Sequence, residues 1–434
     1  MVSMIGLVLA LILLMVFTIR GMNLLISAPL CAIVVALTGR IKIIPTDNDS
    51  MSFVTVYMDG FAGFLSSWFF MFLLGSLFGK FMEESGAADR IAASTVAALG
   101  MRNAVAAIVI ACAVLTYGGV SLFVVAFSVY PMALSLFKQA NLPRRFIPAV
   151  MAFGSVTFTM TSAGSPEIQN WIPIKYLGTS PYAGWEVSIV VALFMIFLGY
   201  WWLNKMIRKA LLNGEVFSQR EGDPQAKTSD LPAFTLSVIP IVAVLLVTFV
   251  FHKTYAQYAL ILALSVGCLC AWGLVHRTFL GLDKIVSQGT LGALLAIANT
   301  AAVVGFGTVA KASPAFPVVV DAITGLPGNG LLGAAIAVTT IAAMTGSASG
   351  GQSIALPVLA PHYIDLGVDS EALHRVVAIS SGALDTLPHN GYVVTTIRAI
   401  CGETHQAAYF PMAALTVVVP LLGTLLALIL FTLF

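Results

Sequence analysis

Charge is what this chain has least of. Only 9% of its 434 residues are Asp, Glu, Lys or Arg, against about 25% in a soluble domain. That is too little polar surface to cover a water-soluble core. Cysteine is also sparse: Cys31, Cys112, Cys268, Cys270 and Cys401 are scattered in apolar contexts, and Cys268-Leu-Cys270 lacks His or Cys companions at zinc-like spacing. They read as small packing residues, so no metal site is expected. A strong charge bias is missing too, the formal net charge being +2, and nothing indicates nucleic acid. HExxH, Walker A and dinucleotide fingerprints do not occur in credible contexts, which argues against an ATP-driven pump.

Hydrocarbon is what is abundant. Hydrophobic residues make up 59% of the chain, and the mean hydropathy is +0.97. Residues 2–19, 187–203 and 234–251 reach or approach the roughly 18–20 apolar residues that cross a bilayer. The chain is therefore expected to be an all-α polytopic membrane protein. The first run lacks a basic leader and an A-x-A cleavage site, and a second apolar run follows it, so it is expected to stay.

The one long hydrophilic stretch in mid-chain, NKMIRKALLNGEVFSQREGDPQAKTSD (204–230), carries Lys205, Arg208, Lys209, Arg220 and Lys227. By the positive-inside rule it is a cytoplasmic linker. It separates two halves, 1–203 and 231–434, that match weakly but in order. LFGKFMEESGAADRIA (77–92) resembles GFGTVAKASPAFPVVVDAI (305–323), and TYGGVS (116–121) parallels SASGGQS (347–353). Arg144-Arg145 parallels His374-Arg375, SPEIQN (165–170) parallels LPHNGY (387–392), and YLGTSPYAGW (176–185) parallels ICGETHQAAY (400–409). Each half then reads as two leading spans, a scaffold span with an amphipathic tail, and two stretches interrupted at membrane depth.

The interruptions carry the functional signal. Gly-Gly pairs and proline in apolar runs remove helical hydrogen bonds. Unwound backbone in a membrane is tolerated only inside protein or beside a water-filled cavity. Paired interruptions in corresponding positions of two repeats point to a transporter binding site. Small residues also let helices approach closely, but four breaks paired between halves favour a site, formed by two re-entrant hairpins and two discontinuous helices.

Half-helix N-termini suit a carboxylate. The expected substrate-binding set is Gly118, Gly119, Ser121, Ser162, Ser165, Gln169, Asn170, Ser347, Ser349, Gly350, Gly351, Ser353, Thr386 and Asn390. This set is rich in donors and poor in fixed positive charge, which suits a small hydroxylated monocarboxylate better than a polyanion. Intramembrane acids and histidines commonly mark ion pathways, so Asp385, His389 and Glu167 are the ion-coupling candidates. Arg145, His374 and Arg375 are expected to be interfacial anchors; Glu403, His252, His276 and His405 are expected to be loop residues.

TYGGVSLFVVAFSVYP (116–131), NLPRRFIPA (141–149), FTMTSAGSPEIQN (158–170), ALDTLPHNG (383–391) and ICGETH (400–405) resemble the gluconate permease family, within the ion transporter superfamily. The resemblance implies two inverted repeats, an elevator-like homodimer, and proton-coupled uptake of gluconate or a 3-hydroxybutyrate-like acid through a bacterial inner membrane. It implies no cofactor, with the proton motive force as the drive and Na⁺ as the other ion the residues admit. Two rivals follow from the residues. A cation/proton antiporter would leave the hydroxyl-rich breaks unexplained, and an intramembrane serine hydrolase would need Ser349 activated by His389.

Overall fold

The computed structural model describes residues 1–20, 22–45, 51–100, 103–221, 223, 231–275, 281–324 and 330–433. Lys227, His276 and most of the stretch 222–230 lie outside the described residues. Among the described residues every regular element is helical.

Two leading helices, α1 (Val2–Ile19) and α2 (Leu24–Thr38), precede the long α3 (Phe53–Glu84) and the short α4 (Ala87–Leu99). A helical hairpin follows, α5 (Ala104–Tyr117) and α6 (Leu122–Gln139), joined at a non-helical tip, 118–121. The first broken helix starts with a 3₁₀ turn at Arg144–Phe146 and continues through α7 (Ile147–Ala152) and a π turn at Phe153–Thr157. It resumes, after a gap, at Ile168–Asn170 and α8 (Ile172–Leu177). The long α9 (Trp185–Leu212) leads into the linker.

The same order recurs in the second half. The leading pair is α10 (Phe234–Tyr255) and α11 (Ala259–Val275), followed by the long α12 (Leu282–Ala312) and short α13 (Ala315–Thr324). The second hairpin is α14 (Gly330–Thr345) and α15 (Ala348–Asp365), with its tip at 346–347. The second broken helix comprises α16 (Ser370–Ser381), a gap at 382–390, α17 (Gly391–Val394) and a π turn at Thr395–Ile400. The chain closes with α18 (His405–Ala413), a further π turn and α19 (Val419–Leu433).

Six of these helical runs are long and apolar enough to cross a membrane: α3, α6, α9, α10, α12 and the continuous His405–Leu433 run. At 32 residues, α3 exceeds the roughly 20 that a bilayer needs. Its start is fixed by a capping box, Ser52 Oγ accepting from Thr55 N at 3.2 Å while Thr55 Oγ1 accepts from Ser52 N at 3.0 Å.

Two pairs of elements drawn from the two halves run antiparallel. Along α3 and α12, Tyr57 Oη donates to Ala302 O (2.9 Å) and Ser76 Oγ to Gly289 O (2.8 Å), so one helix climbs as the other descends. The broken helices do the same. Arg144, opening the first, lies 3.0 Å from Glu403, at the end of the second. Arg375, near the start of the second, donates to Ala183 O (2.8 Å) and Pro181 O (3.1 Å), past the end of the first.

Those arginines correct an expectation. Arg375 and His374 do not sit at the interface; both are fully buried. Arg375 also donates to Thr161 O (2.7 Å) and Asn170 Oδ1 (2.8 Å), closing four hydrogen bonds that tie its own helix to the first broken helix and the loop after it. Sequence placed a cation before an apolar run and suggested snorkelling. In the fold, unwound carbonyls in the other half supply the acceptors that allow it to be buried. Arg145 pairs with the linker, its Nε donating to Glu215 at 2.6 Å. Glu403 is buried between Arg144 and Arg220, at 3.0 and 2.9 Å. His252 lies on α10, its ring 4.8 Å from that of Tyr182. Of the cysteines, Cys270 is half-buried and the other four are buried, and all are free.

Candidate functional site

Each of the four expected interruptions contains a non-helical segment, at 118–121, 158–167, 346–347 and 382–390, and contacts join these into one region. The Gly350-Gly351 pair, expected in a break, instead lies inside α15. Tyr117, before tip 118–121, donates to Ala163 O in the first gap. Arg375 and Gly382 bring the second broken helix onto that gap, since a Cβ built on Gly382 falls 3.2 Å from Thr161 and 3.3 Å from Met160. Asn390, in the second gap, donates to Gly346 O of tip 346–347 at 2.8 Å. Phe123, just past the first tip, packs edge-on against Tyr392, just past the second gap, with centroids 5.6 Å apart.

The two gaps share an internal device that also fixes their correspondence. Asn170 Nδ2 donates to Ser165 O (3.2 Å), and Asn390 Nδ2 donates to Asp385 O (3.0 Å), five residues back in each case. SPEIQN therefore aligns with DTLPHN (385–390), two residues away from the LPHNGY pairing that the letters suggested. Sequence matched proline to proline, whereas the structure matches the residues that pin the loop.

Both asparagines are consumed by that job. Asn170 also donates to Pro181 O (2.8 Å) and accepts from Arg375. Asn390 accepts from Val393 N (3.0 Å), capping α17. Two other expected hydroxyls, Ser162 and Thr386, donate to the protein, and two more, Ser165 and Ser347, accept from backbone N–H groups. Ser162 Oγ donates to Phe158 O, and Thr386 Oγ1 bonds Thr416 O and Oγ1, both at 2.9 Å. Ser165 Oγ accepts from Glu167 N (3.3 Å), and Ser347 Oγ caps α15 by accepting from Gly350 N (3.1 Å). Ser349 meets Ser347 at 3.3 Å, and no Ser349–His389 hydrogen bond occurs among the described residues.

What remains unpartnered includes both acceptors and hydroxyls. Asp385 Oδ1, Gln169 Oε1 and Gln352 Oε1 are buried without a hydrogen-bond partner among the described residues, as are His389 Nε2 and Ser353 Oγ. Each such group is costly to leave unmade. The composition suggested a donor-rich site; the fold spends many of those donors on holding broken helices together. Ser121, half-buried at the start of α6, makes no capping bond and keeps its hydroxyl free of that role. Glu167 is half-buried in the first gap.

His389 sits so close to the second tip that a Cβ built on Gly346 would lie 2.7 Å from its Cδ2 and 2.8 Å from its Nε2. Gly346 also has φ +60°, which glycine adopts without strain. Gly118 and Gly119 serve the other tip, Gly119 with φ +90°. In the second hairpin a Cβ on Gly351 would fall 2.7 Å from Ala342 Cα, so its two arms touch through that glycine, while Gly350 opens the first turn of α15.

Three residues outside the expected set belong to this region: Arg375, Gln352 and His405. Gln352 is fully buried, its Nε2 donating to Ser381 Oγ (2.9 Å), and it stood between Gly351 and Ser353 in the quoted motif. His405, expected in a loop, opens α18 and lies 3.2 Å from Pro388 O, behind the second gap. No sequence signal distinguishes it from a surface histidine.

A helical multi-pass protein whose breaks converge inside its spans has the build of a secondary carrier. The chain belongs to the GntP family of permeases, whose model matches residues 1–423. It is 35% identical over 457 aligned positions to the "Uncharacterized transporter YxjC" of Bacillus subtilis (strain 168), covering 94% of this chain and 95% of that protein. It is 25% identical to an "Uncharacterized transporter" of Haemophilus influenzae, covering 79% and 80%. In fold it is similar to the Alcanivorax borkumensis YdaH transporter, whose crystal structure is described as having an unusual topology. The TM-score is 0.51 and the identity 13%, over 98% of this chain and 97% of that one. Family, apolar helices and bacterial relatives together make this a multi-pass protein of the bacterial inner membrane.

Proposed function

We propose that this permease is a proton-coupled symporter, bringing a small hydroxylated monocarboxylate such as gluconate or 3-hydroxybutyrate into the cell. Residues 1–203 and 231–434 act as inverted repeats joined by a cytoplasmic linker, 204–230. The two hairpins are re-entrant and travel with the broken helices as an elevator unit, while the leading spans hold a homodimer together. The observation that carries this reading is the joining of all four breaks by hydrogen bonds and close packing, with Asp385 Oδ1, Gln169 Oε1 and Gln352 Oε1 in the same elements buried without partners among the described residues.

The substrate carboxylate is assigned to the N-termini of α6 and α15, with Gly119, Ser121, Ser349 and Ser353 around it. Gln169 and Gln352, whose Oε1 atoms are buried without partners among the described residues, accept from its hydroxyls. Asp385 takes up the coupled proton, with His389 and Glu167 as the other titratable groups of the site. No cofactor or metal is given a role, and no reaction is catalysed.

Proteoliposomes with an alkaline interior test the reading. They are expected to accumulate labelled gluconate or 3-hydroxybutyrate and to lose accumulation when the gradient is collapsed. Cation flux without uptake of either acid favours an antiporter and overturns it. Asp385→Asn should abolish gradient-driven accumulation while sparing counterflow exchange; unchanged driven uptake removes Asp385 from coupling.

A further inference from the structure

A cavity of about 490 Å³ lies beside tip 118–121, between α5, α9 and α10, a size that takes a small ligand. Its walls include Val114, Phe158, Ile189, Leu193, Ile241 and Leu245, with no charged residue. Four hydroxyls also reach it; three donate to backbone carbonyls and the fourth accepts from a backbone N–H. Tyr117 donates to Ala163 O, Ser162 to Phe158 O and Thr159 to Ser155 O, while Ser188 Oγ accepts from Ala163 N. A polar solute would find the Ser188 O–H as the one hydroxyl of the four not donating to the described residues, and no cation there, and water would find few partners. The space is chemically a hydrocarbon slot.

Its open side lies in exposed apolar surface. Val114, Ile189 and Leu193 at its mouth are 40%, 49% and 47% exposed, and the apolar surface continues over Phe197 (71%) on α9 and Leu246 (58%) on α10. In a membrane that surface meets acyl chains.

We propose that this cavity binds one acyl chain of a membrane phospholipid, seated between α9 and the first hairpin. Because Tyr117 and Gly118 belong to the tip, and Phe158 and Ser162 to the first broken helix, the chain touches both partners of one contact. Lipid bound only when that contact is closed stabilises it by mass action. The proposal stands independently of which solute the permease carries.

Filling the slot tests it. Ala192, half-buried on α9, lines the cavity, and Ala192→Phe projects a ring into it. Native mass spectrometry after detergent exchange should find one fewer retained phospholipid per chain in A192F than in the unaltered protein. Adding phosphatidylethanolamine–phosphatidylglycerol mixed micelles should raise the thermal unfolding midpoint of the unaltered protein more than that of A192F. Equal lipid counts, or an oligomer that A192F dissociates with no change in lipid number, overturn the proposal. If A192F does not fold, Ala192→Leu gives the same comparison with less volume.

Discussion

Removing the Arg375 guanidinium tests the junction between the halves. The side chain is fully buried and donates to Thr161 O, Pro181 O, Ala183 O and Asn170 Oδ1, between 2.7 and 3.1 Å. Each buried acceptor left without its donor costs about 1–3 kcal/mol. Pro181 O keeps its bond from Asn170 Nδ2, so three acceptors depend on the guanidinium. Glutamine reaches one or two of them, and Arg375→Gln should destabilise by about 1–6 kcal/mol on that figure. Arg375→Met reaches none and should cost roughly twice as much. Lysine keeps the charge but not the planar fork and should fall nearest the native protein. Relief from burying a charge opposes all this, and it applies to Gln and Met alike, so it cannot reverse their order. Equilibrium unfolding in mixed micelles reads the series directly. Hydrogen exchange should show loss of protection confined first to residues 178–184 and the first gap, where the acceptors lie. If Met is as stable as Arg, or more stable than Gln, the guanidinium is a burden on the fold rather than its clasp.

Gly346→Ala should slow uptake and cost about 1–2 kcal/mol in stability, because it combines φ +60° with a Cβ 2.7 Å from the His389 ring. Gly63→Ala, on α3 with nothing within 4 Å, is the neutral control, and equal behaviour of the two in uptake and unfolding removes Gly346 from the site. The Arg145 hydrogen bonds hold the Glu215 carboxyl below the usual 4.5. Its contribution to docking the linker is therefore complete above the unfolded value and is lost as pH falls through the lower, folded one. Hydrogen exchange over residues 213–219 should rise across that acidic window in the native protein. Glu215→Gln should exchange fast at neutral pH already, and slow exchange there would mean that the pair does not hold the linker.

Much of the architecture was legible because the bilayer restricts the options: apolar runs of sufficient length can only be helices, and their breaks need shelter. TYGGVS and TGSASGGQS announced the hairpin tips, because glycine at positive φ leaves a plain mark in the letters. SPEIQN and LDTLPHNGY announced the gaps through proline. The pairing of the gaps was misread by two residues, since asparagine side chains rather than prolines set it, and a hydrogen bond five residues back leaves no compositional trace.

The sequence by itself determined the class of protein, the order of its helices and the places where they break, because those follow from local hydropathy, glycine and proline. Only the tertiary structure decided which polar groups are spent and which are left over. Ser162 read as a ligand donor until Phe158 O, four residues back, took it, and Asn170, Thr386 and Asn390 did until their partners appeared from other segments. Arg375 read as an anchor until four oxygens from the other half surrounded it. Hydrogen-bond capacity is a property of neighbours, and these neighbours are brought together from segments up to about two hundred residues apart, a separation whose closure costs little more than that of a much shorter loop.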